Sequence, residues 1–305
     1  MNNIVIGIDV GGTFVRRGIY NQSTKTVQYD KDKFLSCNNV EDEVENNICN
    51  KIDRFIKENS TSKLLGIGLS LAALVDQNTG MVVAWPNHNQ WNGYNIRKHL
   101  KERFKVPIYI EDDANCGALG EYSLLKAGHI KNLVYISIGT GVGCGIIING
   151  SLYKGENGFA GELGHIHITS NNTKCTCGKS GCFQSIISGP AIKKKFAAYL
   201  DKDNLDLQDI NKLLTTNTVT MQCYNEILEC ISFTIYNLFM LLDICNFVIG
   251  GGVPKVLTTF IQDINNQIAD MLGYEKRKIN VIKAQNNEFS GVYGALNFVR
   301  NEINS

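Results

Sequence analysis

At 305 residues with a formal net charge of +1, the chain is long enough for about two domains with a core in each, and it carries no basic stripe suited to nucleic acid or an anionic membrane. The opening Met1-Asn2-Asn3-Ile4-Val5 lacks the basic segment, apolar stretch and cleavage site of a secretion signal. Ten cysteines without an export signal fit a reducing, cytoplasmic compartment where thiols stay free or bind metal.

Residues 4–9 read as a strand that enters the tight turn Gly11-Gly12-Thr13 and returns over residues 15–20. The tip of such a hairpin exposes backbone N–H groups and the Thr13 hydroxyl, which suit an anion, although glycine pairs turn many ordinary hairpins. Residues 40–59 carry apolar positions at helical spacing, and residues 64–71 read as the next strand. Trp85-Pro86-Asn87 opens a loop running to Trp91-Asn92-Gly93. Its aromatic and amide side chains suit a sugar, or an ordinary surface loop. A strand over residues 106–110 passes through Glu111-Asp112-Asp113-Ala114-Asn115 into a helix over residues 118–126. Acids at that junction sit where α/β enzymes bind ligands; they also serve as helix caps, but three in a row exceed what capping requires.

The segment from residue 133 to 184 concentrates the chemistry. A buried strand is followed by Gly139, Gly141, Gly143 and Gly145 at every second position, the period of a pleated strand. One face of the backbone is thereby stripped of side chains, and a phosphate is the expected guest. Residues 9–19 and 138–148 are both strand, glycine turn and strand, about 130 residues apart, which suggests two similar domains around a cleft rather than a repeat array. Residues 231–249 are the most membrane-like stretch, but Asn237, Asp243 and Asn246 interrupt it, so a buried helix leading into a strand is expected. That strand ends in Gly250-Gly251-Gly252 before a helix near Lys255, whose N-terminus would offer free N–H groups. Ser290-Gly291 begins a last small-residue helix that must pack closely on something.

His165, Cys175, Cys177 and Cys182 supply four ligands of the types that close a tetrahedral structural zinc site, leaving no open position for chemistry. A disulfide among these cysteines is the competing reading, opposed by the strain of a Cys-x-Cys pair and the reducing compartment. His167 reads as a strand residue rather than a ligand, and Cys116, Cys144, Cys223, Cys230 and Cys245 as core residues.

Taken in order, Asp9-Val10-Gly11-Gly12-Thr13, Glu111-Asp112-Asp113-Ala114-Asn115, Gly139-Thr140-Gly141-Val142-Gly143, Glu162-Leu163-Gly164-His165, the Cys175-x-Cys177-Gly-x-x-Gly-Cys182 knot and Gly250-Gly251-Gly252 resemble the ROK family of sugar kinases and sugar-responsive repressors. The resemblance covers essentially the whole chain and implies an actin-like, ribonuclease H-related ATPase fold. Its two α/β domains would be residues 1–117, completed by a C-terminal helix over residues 291–305, and residues 118–290, with sugar and ATP in the cleft. It implies that Asp113 is the general base for the sugar hydroxyl, expected to be the 6-hydroxyl. Asn87, Asp112, Glu162, His165 and Gln184 would then contact the sugar. Asp9, Gly11, Gly12, Thr13, Gly139, Thr140, Gly141 and Gly143 would hold the phosphates with Mg²⁺, and Gly250, Gly251 and Gly252 would lie against the adenosine. Zinc would be scaffold that fixes His165 and Glu162, and kinases of this type are often homodimers.

Two departures stand out. The family's kinases commonly carry Asn before the catalytic Asp and Glu two residues after the last cysteine, where this chain has Asp112 and Gln184. If both face the sugar, an amide and a carboxylate have exchanged places, shifting preference away from glucose; neutral drift is the alternative. The stretches around residues 73–87 and 288–295 most resemble the allose kinase branch, so D-allose is the expected sugar, with glucose and the N-acetylated hexosamines ManNAc and GlcNAc behind it. A sugar-sensing repressor would carry a helix-turn-helix ahead of the kinase-like part, and Asp9 comes too early to leave room for one. A sugar binder without turnover is opposed by Asp113 and the two glycine hairpins.

Overall fold

A computed structural model describes residues 2–86, 88–125, 129–169, 172–202, 205–214, 218–274 and 276–304 of the chain. In order, the first part holds β1 (Asn2–Val10), β2 (Phe14–Asn21), β3 (Thr26–Lys33), α1 (Val40–Val44), a π-helical turn (Glu45–Cys49), α2 (Asn50–Glu58), β4 (Ser62–Leu71), the short β5 (Leu74–Val75) and β6 (Val82–Ala84), α3 (Ile96–Phe104), β7 (Ile108–Asp112) and α4 (Asp113–Leu125). There follow β8 (Leu133–Ile138), β9 (Val142–Ile148), β10 (Ser151–Leu152), α5 (Gln184–Ile187), α6 (Gly189–Leu200), α7 (Leu207–Leu213), α8 (Thr218–Leu242), β11 (Asn246–Gly250), α9 (Val253–Val256), α10 (Phe260–Leu272), β12 (Asn280–Lys283) and α11 (Ser290–Asn304). The chain divides into two compact units, Met1–Leu125 with Glu288–Ser305, and Lys126–Asn287.

In the first unit the sheet order is β3-β2-β1-β4-β7, antiparallel among β1, β2 and β3 and parallel among β1, β4 and β7. Covering helices bury both faces of the parallel strands, so β1 reads as a near-continuous apolar run. Ile4, Ile6, Ile8 and Val10 point to one face, into a core shared with Ile48, Ile52, Trp85, Trp91 and Leu100. Val5 points to the other, against Val292, Leu296 and Val299 of α11. Small residues let α11 lie this close. A Cβ at Gly68 would come 2.3 Å from the Ala295 carbonyl oxygen, and one at Gly294 would come 1.7 Å from that of Cys116 in α4. The small-residue helix expected at residue 290 therefore packs on both the sheet and α4. That contact keeps the whole of α4 in this unit, so the division falls after Leu125, beyond the expected 117–118 boundary.

Local differences from the sequence reading have local causes. The helical stretch 40–59 is broken by the π turn, where the Asn47 side chain pairs with both backbone groups of Leu35 at 2.8 Å and donates to the Glu43 carbonyl at 2.9 Å. The strand expected at 106–110 runs two residues later, so Glu111 and Asp112 end the strand itself.

The second unit repeats the same sheet plan, β10-β9-β8-β11-β12, with β11 parallel to both β8 and β12. α8 is long and apolar enough to cross a membrane by composition. Tyr224, Ile227, Ile231, Ile235 and Phe239 nevertheless bury one side of it in a core with Val134, Ile136 and Ile138 of β8 and Phe260, Ile264 and Ile268 of α10. The polar stretch after α6 restarts a helix: Asp206 caps α7 by accepting from Gln208 N at 2.8 Å and Asp209 N at 2.9 Å.

Candidate active site

Register gathers the polar side chains of the first unit. Asp9 of β1 faces Arg16 on β2 and Ser70 on β4, and Ser70 in turn faces Glu111 on β7. A polar row thus crosses the sheet at the carboxyl ends of its parallel strands, where α/β folds place ligands. Ser70 Oγ donates to Asp9 Oδ1 at 2.7 Å and Arg16 Nη1 donates to Oδ2 at 3.4 Å. Burial nevertheless holds the Asp9 pKa above the ordinary carboxylate value, against the lowering effect of both partners. A cation would relieve that. Beyond Asp9 the Gly11-Gly12-Thr13 tip, closed by Gly11 N donating to the Phe14 carbonyl at 3.0 Å, leaves Gly12 and Thr13 exposed.

Asp112 and Asp113 separate in role. Asp112 is half-buried and caps α4, its Oδ1 accepting from Ala114 N at 2.9 Å and Asn115 N at 3.2 Å. Burial, then the neighbouring Asp113 charge, raise its pKa well above normal despite those bonds. Glu111, buried, accepts from Asp112 N and from Asn115 Nδ2, both at 3.0 Å, which ties the strand end to the helix start. Asp113, the first helical residue, is exposed. Asn87 lies outside the described residues.

In the second unit only Gly143 and Gly145 lie on a strand; Gly139 and Gly141 belong to the turn joining β8 to β9, so the alternation marks a turn as well as a stripped strand face. Gly139 N donates to the Gly141 carbonyl at 2.9 Å, and a Cβ at Gly139 would meet nothing within 4 Å. Thr140 and Gly141 are exposed beside it. Gln184 supports this turn from below: its Oε1 accepts from Val142 N at 3.2 Å while Nε2 donates to Thr176 Oγ1 at 2.9 Å and Cys175 Sγ at 3.4 Å. The side chain expected to face a sugar is thus bonded to the glycine turn and the cysteine knot.

His165, Cys175, Cys177 and Cys182 bring their ligand atoms within 4.8 Å of one another. The Cys175 Sγ to His165 Nδ1 and Cys177 Sγ to Cys182 Sγ separations are each 3.7 Å, fitting tetrahedral zinc with thiolate and imidazole ligands; all three cysteines are free thiols. Burial opposes the Cys175 thiolate, but hydrogen bonds from Cys177, Gln184 and His165 outweigh it and bring its pKa down to about 6. Burial and the neighbouring sulfurs push Cys182 up to about 12. A divalent ion would stabilise all three as thiolates. With Nδ1 on the metal side, His165 Nε2 faces Glu162 at 4.0 Å, and both side chains are exposed. His167 instead pairs with Cys182 through a β-bridge and holds the Ser180 carbonyl at 3.2 Å, as a structural residue.

The triple glycine departs from its expected role as a helix N-terminus. α9 is a single four-residue turn, too short for a useful dipole, and Gly251 (φ +94°) serves packing: a Cβ there would lie 2.3 Å from the Ile138 carbonyl oxygen. Gly252 remains exposed with nothing near its Cβ position. Sequence reasoning missed Arg16, Ser70 and Thr176. Arg16 was within reach, since counting outward from the Gly11-Gly12 turn pairs it with Asp9; Ser70, 61 residues from Asp9, had no local signal.

A xylose repressor of Bacillus spizizenii is 34% identical over 278 residues, covering 88% of this chain and 70% of the repressor. A glucokinase of Halalkalibacterium halodurans is 31% identical over 279 residues, covering 85% of this chain and 83% of the enzyme. The structure of a Streptomyces griseus ROK family glucokinase in complex with glucose and AMPPNP superposes with a TM-score of 0.77 at 25% identity, covering 98% of this chain and 100% of that one, so the fold is that of the actin-like ROK kinases. The ROK family model matches residues 5–302, and the chain belongs to the ROK family.

Proposed function

We propose that the chain is an ATP-dependent sugar kinase that moves the terminal phosphoryl group of ATP to a hexose hydroxyl, most simply the 6-hydroxyl. The observation that carries this reading is Asp113, an exposed carboxylate on the first turn of a helix whose start is fixed by Asp112 and Glu111. A carboxylate so held takes the proton as the sugar oxygen bonds to phosphorus and ADP leaves. Asp9 would hold Mg²⁺, which supplies the positive charge that burial denies this carboxylate. Gly11, Gly12, Thr13 and the turn Gly139, Thr140, Gly141 with Gly143 offer backbone to the phosphates, and Gly250, Gly251 and Gly252 offer it to the adenosine. Glu162 and His165 contact the sugar, with zinc on the other imidazole nitrogen holding the ring in place. Asn87 completes that set. Asp112 and Gln184 act as positioning residues, one for Asp113 and one for the glycine turn.

A coupled ADP assay with D-allose, glucose, ManNAc and GlcNAc tests the reading; hexose-dependent ADP release is expected, and its absence with every sugar would overturn it. D-allose heads the panel on the short stretches around residues 73–87 and 288–295. Comparing Asp112→Asn, Gln184→Glu and the double variant across the panel should give equal losses on all sugars; a changed order among sugars would make these residues sugar contacts. A second reading, a sugar-responsive regulator, is favoured by the similarity to a xylose repressor. A sugar-induced rise in thermal stability with no ADP formation would favour it. Gel filtration tests the homodimer.

A further inference from the structure

A second group of metal-ligand side chains lies in the first unit, among residues given no part in the candidate active site. Glu45 and Cys49 open and close the π-helical turn, and His99 projects from α3. The Glu45 carboxylate oxygen, Cys49 Sγ and a His99 ring nitrogen all lie within 4.8 Å of one another. Cys49 Sγ stands 3.7 Å from His99 Nε2, the same sulfur-to-nitrogen separation as between Cys175 and His165. Zinc bonds of about 2.3 Å to sulfur and about 2.0–2.1 Å to nitrogen, at a tetrahedral angle, require a separation of about 3.5 Å.

Two further contacts bear on the site. The Tyr94 hydroxyl lies 2.8 Å from His99 Nδ1, so the phenol oxygen can accept the Nδ1–H and leave the Nε2 lone pair facing Cys49. An outer partner of this kind is what fixes the tautomer and orientation of a ligating histidine. Arg103 Nη2 pairs with Glu45 Oε1 at 3.1 Å and with Asp53 at 2.6 Å, which orients the carboxylate from outside. The thiol-to-imidazole contact and the Arg103 ion pair each hold part of the group, whereas a metal ion would engage all three ligand atoms at once. Cys49 is buried while Glu45 and His99 are half-buried, so the group has a dry side and a wet side.

We propose that Glu45, Cys49 and His99 form a second site for a zinc-class divalent ion, with water as the fourth ligand, clasping the π turn to α3. On binding, the Cys49 S–H bond breaks, its proton goes to solvent, and the sulfur, Nε2 and a carboxylate oxygen replace waters of the hydrated ion. The proposal is independent of the kinase reading.

Metal content of the full-length protein, loaded with zinc and dialysed, tests it. His99→Ala should hold about one zinc per chain fewer than the wild type, and Cys177→Ser/Cys182→Ser should retain the His99-dependent ion. Equal metal content in wild type and His99→Ala would overturn the site. Because a variant of this half-buried cluster can lose structure for other reasons, cadmium-113 NMR of the unaltered protein gives a second measure. A cadmium resonance with the lower sulfur content of a single-thiolate site is expected beside that of the three-cysteine knot, and finding only the sulfur-rich resonance would sink the proposal.

Discussion

The two sheets share one plan and differ at the same spot. In each, the first strand runs into a glycine turn, returns antiparallel, and has a parallel neighbour on its other side. Two residues before the turn stands Asp9 in one unit and Ser137 in the other. Asp9 is flanked across the sheet by Arg16 and Ser70, whereas Ser137 is flanked by Gly143 and Gly250. One strand end therefore concentrates charge and the other is reduced to backbone. Carboxylates suit proton transfer and cation binding but repel phosphates, while bare N–H groups donate to phosphate oxygens and do no acid–base work. On the proposed reading one sheet plan serves two complementary tasks, and substitutions at equivalent places should fail in different ways.

The largest effect is expected at Asp113. Asp113→Asn should lower kcat about 10²–10⁴-fold in the ADP assay while leaving the melting temperature nearly unchanged, since the side chain is exposed. A comparable drop in stability would mean that the residue is structural. Next comes the four-ligand metal knot of the second unit. Stripping zinc with a chelator should cost about 3–4 kcal/mol of stability relative to zinc held at several hundred times its Kd, read as a zinc-dependent thermal transition. Cys177→Ser should cut that dependence to what the His99-dependent ion supplies, and adding His99→Ala should abolish it; an undiminished dependence in Cys177→Ser would locate the stabilising ion outside the knot.

Glycines of the backbone end offer a finer contrast. A methyl group at Gly139 meets no protein atom, so Gly139→Ala should keep stability within about 0.5 kcal/mol yet raise the KM for ATP roughly tenfold, because only an incoming phosphate would feel it. Gly251→Ala should act on stability first. Its positive φ and the nearby Ile138 carbonyl predict a loss of about 1–3 kcal/mol, measured by denaturant titration. If Gly139→Ala binds ATP normally, the turn does not hold phosphate.

What could be read in the sequence was whatever is local. Both hairpins, the buried α8 and the contiguous cysteine knot follow from patterns spanning a few residues. The alternating glycines misled in part, because a spacing of two fits a turn as readily as a strand. The triple glycine suggested a helix long enough to bind an anion, but Leu257 leaves helical geometry after one turn. Contacts made by folding were beyond reach. Ser70 joins Asp9, Gln184 joins Val142 from 42 residues away, and His99 joins Cys49 from 50 away, and no residue between announces the meeting.

The smallest effect, and the sharpest test of the charged strand end, concerns Asp112. Asn caps a helix as well as Asp, so Asp112→Asn should keep the bonds to Ala114 and Asn115 and remove only the charge. Burial and the adjacent Asp113 raise the Asp112 pKa in the folded state above its ordinary value of 3.8, so the folded protein binds this proton more tightly than the unfolded chain does. Stability contributed by the group is therefore present below about pH 4 and is lost as pH rises through the elevated folded value, after which the deficit is constant. At neutral pH the Asn variant should be more stable by about 1 kcal/mol, and its stability should fall less between pH 4 and neutrality. Asp113→Asn should weaken the same slope by removing the repelling neighbour. Parallel stability profiles for wild type and Asp112→Asn would mean that the carboxylate is well solvated or has a cationic partner, and the first sheet would then lack the strained charge that sets it apart from the second.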